Sequence, residues 1–448
     1  MGTEEVSELS SVTGTGRILR FALPSIIMML FISSFNVVDG FFISNFIDTD
    51  GLAALNILMP LFSLLTGVGF MLATGGSAYV SNRLGRGEPD KARAAFSLIM
   101  AFATGFALAA TVIALLLMDG LVRLLGADDS IAGLTAEYGT AYAFFCVFVI
   151  LQFLCNQFLV AAGKPGYALA FSVVGGGLNI VLDYIFIALM DFGMTGAAVA
   201  SGLGSMVPCL AGLAVFCSRK SDIHFTLPSR DISVLKDSCT NGISEMVGEI
   251  SGGITTLLFN LMMMQHIGPD GVAAISILMY VQFLALAALI GYSNGVAPLM
   301  SYRHGADDRP RMWELFRTSL LFVIGISVTI FLAMELFAEP IVSVFASDSD
   351  EVMSITVHGA MVFSFAFLFM GGNMYSSSLF TSLSNGKVSA IISFVRTLVL
   401  LAPLIVILPM VFGIDAIWYA VPLTELITFG LSAWFICTLG RGYGFIPE

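Results

Sequence analysis

Twelve apolar runs, each broken by a polar or charged turn, leave this chain few ways to fold. They lie near 18–46, 52–80, 94–118, 133–160, 166–190, 195–217, 240–265, 272–300, 314–337, 354–382, 387–412 and 417–439. A helix that crosses a bilayer needs about 20 mostly apolar residues, and each run supplies them. The runs are continuously apolar rather than alternating, which argues against a transmembrane barrel. The longer ones must tilt or extend beyond the bilayer. Charge is too scarce for a soluble alternative: of 448 residues, 57% are apolar and 11% charged, against roughly 25% charged in an ordinary soluble domain. A net charge of −12 offers no basic patch for nucleic acid. The chain is therefore expected to be an all-α polytopic membrane protein of twelve transmembrane helices.

Charge also orients it. Arg17 and Arg20 precede span 1, and Arg83, Arg86, Lys91 and Arg93 separate spans 2 and 3. Lys164, the Arg219–Lys236 link, the Arg303–Arg317 region, Lys387 and Arg441 follow the same alternation. Seventeen of the 19 basic residues fall on one side; Arg123 and Arg396 are the exceptions. The opposite loops carry Asp48, Asp50, Asp128, Asp129, Asp191, Asp348, Asp350, Glu351 and Asp415. Positive charge stays cytoplasmic, so both termini are expected in the cytoplasm of a plasma-membrane protein. The acidic N-terminus lacks the basic region of a cleavable signal peptide. All six cysteines except Cys239 lie in apolar stretches and read as small buried hydrophobes rather than disulfides or metal ligands.

Position i resembles position i+220. Asp50-Gly51-Leu52-Ala53-Ala54 matches Asp270-Gly271-Val272-Ala273-Ala274, and Gly75, Ser81, Arg83 and Gly85 match Gly295, Ser301, Arg303 and Gly305. Chance explains Leu and Ala matches between apolar helices, but poorly explains loop Asp, Arg and Gly in register. Two six-helix bundles follow, 1–217 and 238–448, joined by a cytoplasmic linker at 218–237. An even number of spans per repeat gives both halves one orientation, a parallel repeat found in transporters.

A charge at mid-bilayer costs about 2.5–3.5 kcal/mol on insertion scales, so each intramembrane charge needs a reason. In span 1, Asn36 and Asp39 share a helix face, and Pro24 should kink the same helix. In span 5, Asn179 and Asp183 are one turn apart, and Ser201 lies mid-way along span 6. Asp39 and Asp183 with these amide and hydroxyl oxygens would suit H⁺ or Na⁺; Asp39, Asn179 and Asp183 would be the metal ligands if the ion is Na⁺. The second half differs, because the 220 offset puts Phe259 opposite Asp39. Glu245 and Glu249 in span 7 and Glu425 in span 12 are candidate substrate or second-half site residues, and Arg396 in span 11 could pair with one of these acids.

These features resemble the MATE (multidrug and toxic compound extrusion) family. The resemblance rests on Leu23-Pro24 with Val37-Val38-Asp39, Gly51-Leu52-Ala53-Ala54, Arg83-Leu84-Gly85-Arg86-Gly87, Gly163-Lys164-Pro165, and above all Leu178-Asn179-Ile180-Val181-Leu182-Asp183-Tyr184. It covers essentially the whole chain and looks closest to the MepA-like group. It implies two bundles around a V-shaped cleft and export of organic cations or drugs by H⁺ or Na⁺ antiport, by a protein acting as a monomer in the lipid bilayer without a cofactor. It also implies that Asp39, Asn179, Asp183 and Ser201 form a first-half cation site, and that Pro24 is a point of helix bending. Branches with an aspartate in span 10 are not matched, since that region reads Met370-Gly371-Gly372-Asn373-Met374.

Two other transporter classes are possible, a lipid-linked oligosaccharide flippase of the same superfamily and a major-facilitator exporter. An intramembrane enzyme is not expected: His224, His266, His304 and His358 lie in or near loops, away from the acids. A channel is disfavoured because no ring of charge or filter loop is evident.

Overall fold

A computed structural model describes residues 8–46, 49–219, 221–343 and 349–446. Within spans 1 and 2, the side chains of residues 36, 37, 39–41, 43–46, 49, 50 and 52 lie outside the described set. The described residues form helices and no strands. Eleven helices are long and apolar enough to cross a membrane, and a twelfth span results when Ala132–Ala143 and Cys146–Ala161, bent by 52°, are taken together. The chain is thus a multi-pass membrane protein with the span count that its apolar runs predict.

The first six spans are Thr15–Phe46, Thr49–Gly85, Pro89–Leu124, the bent pair, Pro165–Leu189 and Gly193–Cys217. The second six are Ser233–His266, Pro269–Gly305, Arg309–Ser343, Asp350–Ser382, Gly386–Phe412 and Ile414–Tyr443. Several are longer than the apolar runs. Span 2 has 37 residues, about 55 Å at the helical rise, well beyond a hydrocarbon core of about 30 Å. Arg83 therefore sits on an emergent helix end. There it bonds Glu88 at 2.8 Å, and Lys91 bonds the same carboxylate at 2.8 Å. Lys91 and Arg83 hold the Glu88 carboxyl down to about 2. This contribution is in place above the ordinary carboxylate range and fades only as pH falls toward 2.

The two halves join through glycines. A methyl group added at Gly85 would overlap the Tyr302 carbonyl, and one at Gly305 would overlap the Asn82 carbonyl. These four positions are related by the 220 offset, so the contact is a pseudo-two-fold pair. Gly75 and Gly242 likewise lock spans 2 and 7, and Gly291 and Gly295 lie against Ile26, Ser25 and Ala22 of span 1. Without a hydrophobic driving force in lipid, such close backbone approach is what holds helices together. Gly75→Val is expected to destabilise the fold by about 1–3 kcal/mol through overpacking. Gly430→Val, which would add its side chain in open space, is expected to change little. Thermal unfolding in detergent distinguishes the two.

This packing corrects the register of spans 1 and 7. Gly291 meets Ile26 as Met71 meets Gly242, so the offset there is 216, not 220. Asp39 then corresponds to Thr255 rather than Phe259; the second half still lacks its carboxylate. The basic ends of these spans also cross over. Ile18, Ala22 and Ile26 of span 1 pack with Leu289, Tyr292 and Val296 of the second half. Val234 of span 7 packs with Phe96 and Phe158 of the first. The buried Arg303 donates to the carbonyls of Val12 and Arg311, tying the N-terminal segment to span 8. Cys146, Cys155 and Cys209 are buried as expected, but Cys217 and Cys437 are exposed because they face away from the bundle.

Candidate functional site

Small residues place the first-half polar groups. Gly175 of span 5 lies against the Gly204 carbonyl and Pro208 of span 6, and a methyl at Gly204 would come within 2.7 Å of Asn179 Cβ. Backbone contact at this point lets Asn179 Nδ2 donate to Ser201 Oγ at 3.4 Å. Asn179 Oδ1 is buried with no hydrogen-bond partner among the described residues. One turn on, Asp183 is fully buried, at 0% exposure. Gly176 faces the Phe31 and Phe35 rings of span 1, so spans 1, 5 and 6 meet here. Asp183 also ends the α-helical part of span 5; Tyr184–Leu189 is a π-helical turn. Such turns recur at functional sites because they redirect side chains and loosen the hydrogen-bond ladder.

The structure therefore brings the buried Asn179 and Asp183 together with the half-buried Ser201. The side chains of Asn36 and Asp39, the other two members of the expected set, lie outside the described residues. Span 1 is continuous helix through Pro24. Among the described residues no three His, Cys, Asp or Glu side chains come together. What this locus offers a small cation is a carboxylate with amide and hydroxyl oxygens.

The second half builds a different site. Arg396 Nε donates to Glu425 Oε1 at 2.7 Å. Asn373 Nδ2 donates to Glu425 Oε2 at 2.7 Å and to its backbone carbonyl at 2.9 Å. Ser432 Oγ donates to Asn373 Oδ1 at 3.0 Å. Spans 10, 11 and 12 are thus tied by one network around a carboxylate that is only 2% exposed. Arg396 stands in a second π-helical turn, Val395–Leu401. Of the acids that Arg396 might have met, Glu425 is its partner; Glu245 and Glu249 are not. These two are half-buried and make no hydrogen bond or ion pair among the described residues. Glu249 faces span 2, its Cβ lying 3.5 Å from where a methyl on Gly67 would be. It therefore sits at the seam between the halves, available to a cationic group there.

Asn373 and Ser432 were not anticipated as parts of a site. The only signal is that both are polar residues within apolar spans. The bond from Thr397 Oγ1 to Ser251 Oγ at 3.0 Å, which joins spans 11 and 7, was equally hidden.

The MatE family model matches residues 24–185 and 254–407. The multidrug export protein MepA of Staphylococcus aureus is 25% identical over 418 residues, covering 91% of this chain and 90% of its own length. Among solved structures, the Vibrio cholerae MATE transporter VcmN superposes with a TM-score of 0.89 at 20% identity, covering 98% of this chain and 100% of its own. A MOP-superfamily transporter from Pyrococcus furiosus gives 0.88 at 21% identity, covering 98% and 97%. At these identities the structural likenesses establish the fold, two repeated halves of six spans.

Proposed function

The chain belongs to the MatE family, and from that premise we propose that it is a secondary active exporter of amphipathic organic cations and drugs, driven by inward movement of H⁺ or Na⁺. Membership makes it a transporter rather than an enzyme and replaces the major-facilitator alternative. The observation that carries the proposal is Asp183, a wholly enclosed carboxylate one turn from Asn179, which bonds Ser201. A buried carboxylate is costly unless a proton or cation neutralises it. Its occupancy is therefore a natural switch between two packings of spans 1, 5 and 6. Asp39 is assigned to the same site on its register in span 1, four turns beyond Pro24, where the missing backbone donor lets the helix bend.

In this reading the glycine interlock closes the basic, cytoplasmic end, and the cleft opens to the acidic, outer end. A cation enters from outside and neutralises the first-half carboxylates. The bundle shifts, drug leaves outward, and the halves rock so that the cation is released inward. Both termini are cytoplasmic, the membrane is the plasma membrane, and one chain suffices. Glu245 and Glu249 supply the negative charge that would favour cationic cargo at the seam.

The test is efflux of ethidium from proteoliposomes with the pH and Na⁺ gradients imposed one at a time. One gradient should drive accumulation against the ethidium gradient; failure of both would overturn the reading. Glu249→Gln is expected to raise the ethidium KM about fivefold, the loss of one partly exposed charge pair, with smaller effect on a neutral substrate. Equal effects on both substrates would remove Glu249 from cargo selection.

A further inference from the structure

Spans 1 and 9 touch sparingly, and the gap between them is a groove open to the lipid. At the basic end it forms a cavity of about 590 Å³ lined by Thr15, Leu19, Trp313, Glu314, Arg317 and Thr318. Deeper in the membrane it continues as an apolar trough of about 630 Å³ along Leu30, Ala288, Phe322, Gly325 and Ile330. Leu321 and Phe322 line both parts, so they form one channel. From Thr318 to Ile330 the helical rise is about 18 Å, close to the depth of one hydrocarbon leaflet, half of roughly 30 Å.

The basic end has a distinct chemistry. Glu314 and Arg317 are three residues apart, hence on one helix face. Neither forms an ion pair or hydrogen bond among the described residues. Trp313 beside them is of the type that settles at the headgroup level, and the Thr15 and Thr318 hydroxyls lie 3.2 Å apart across the seam. A cation and an anion side by side, above an apolar trough of leaflet depth, complement a zwitterionic headgroup on an acyl chain.

The geometry points to a bound phospholipid of the ethanolamine type. Its phosphate meets the Arg317 guanidinium, its ammonium meets the Glu314 carboxylate, and one acyl chain fills the trough past Phe322 and Gly325. The lipid wedges span 1 against span 9. Because the basic half of span 1 packs with the second half, the site reports on the same seam that must change when the halves rock.

Native mass spectrometry of the full chain in detergent, titrated with dioleoyl phosphatidylethanolamine or dioleoyl phosphatidylglycerol, tests this. One phosphatidylethanolamine adduct is expected in preference to phosphatidylglycerol. Arg317→Ala should weaken it roughly fivefold, as for one exposed ion pair. Glu314→Gln should erase the preference between the two lipids. Gly325→Leu, where an added side chain meets nothing within 4 Å, should plug the trough and displace the lipid without harming the fold, checked by monodisperse elution. Equal or stronger binding of phosphatidylglycerol to the unaltered chain would overturn the headgroup assignment. Undiminished binding to a well-folded Gly325→Leu variant would overturn the site. Glycerophosphoethanolamine competing as well as the lipid would overturn the acyl chain's part in it.

Discussion

Asp183→Asn is expected to abolish ion-driven efflux while leaving the protein folded and able to let ethidium equilibrate. Asparagine keeps the size and most of the hydrogen bonding of aspartate, so the fully buried position should still pack. What disappears is the charge that an entering ion neutralises. Exchange of monovalent ethidium for one H⁺ or Na⁺ moves no net charge, so the concentration gradient of the ion alone drives it, and a tenfold ion ratio supplies about 1.4 kcal/mol. Coupling to a single ion under an imposed tenfold ion gradient therefore sustains about a tenfold ethidium gradient, and that gradient should fall to unity in the variant. Substrate distribution across proteoliposomes under an imposed gradient, with unfolding temperature as a control, gives the answer. Accumulation preserved in a folded Asp183→Asn protein would remove this residue from the coupling step. Ser201→Ala should show a milder form of the same loss, since it takes away one oxygen and leaves the carboxylate.

Much of this architecture is legible in the sequence because bilayers impose coarse rules. Hydrocarbon thickness sets run length, and the cost of moving Lys and Arg across sets sidedness. Residues with special backbone or charge, such as Asp270, Gly271, Gly295 and Arg303 of span 8, reveal the repeat because contact with lipid does not select for them. Asp183 stands out for the complementary reason, as a carboxylate where one is expensive. What the sequence hides is rotation about helix axes. Asn373, Glu425 and Ser432 are separated by 52 and 59 residues from one partner to the next contact, and only helix rotation decides that they meet. The 216 register of spans 1 and 7 is hidden likewise, because Leu, Ile and Phe match at almost any offset. It becomes visible only where Ile26 presses on Gly291 and Gly242 on Met71. The crossing of these spans into opposite halves has no sequence signal for the same reason.

The second half yields the other large expected effect. Arg396→Met alone should destabilise the protein by about 3–5 kcal/mol, the usual consequence of removing one member of a buried ion pair. Glu425, only 2% exposed, would keep its Asn373 bond but lose the guanidinium that offsets its charge. The double variant Arg396→Met, Glu425→Gln should recover most of that stability, because a neutral amide can still accept from Asn373 and no charge remains buried. Unfolding temperatures of the two singles and the double form a cycle whose coupling term measures the pair. The same double variant also separates two roles. Arg396 is a permanent cation at Glu425, so this carboxylate has no need of a mobile ion, and coupling should reside in the first half. Ion-driven efflux is therefore expected to survive in the double variant. A well-folded double variant that binds ethidium but no longer concentrates it would place part of the coupling machinery in spans 10 to 12, and would show that the Arg396–Glu425 pair opens and closes during the cycle.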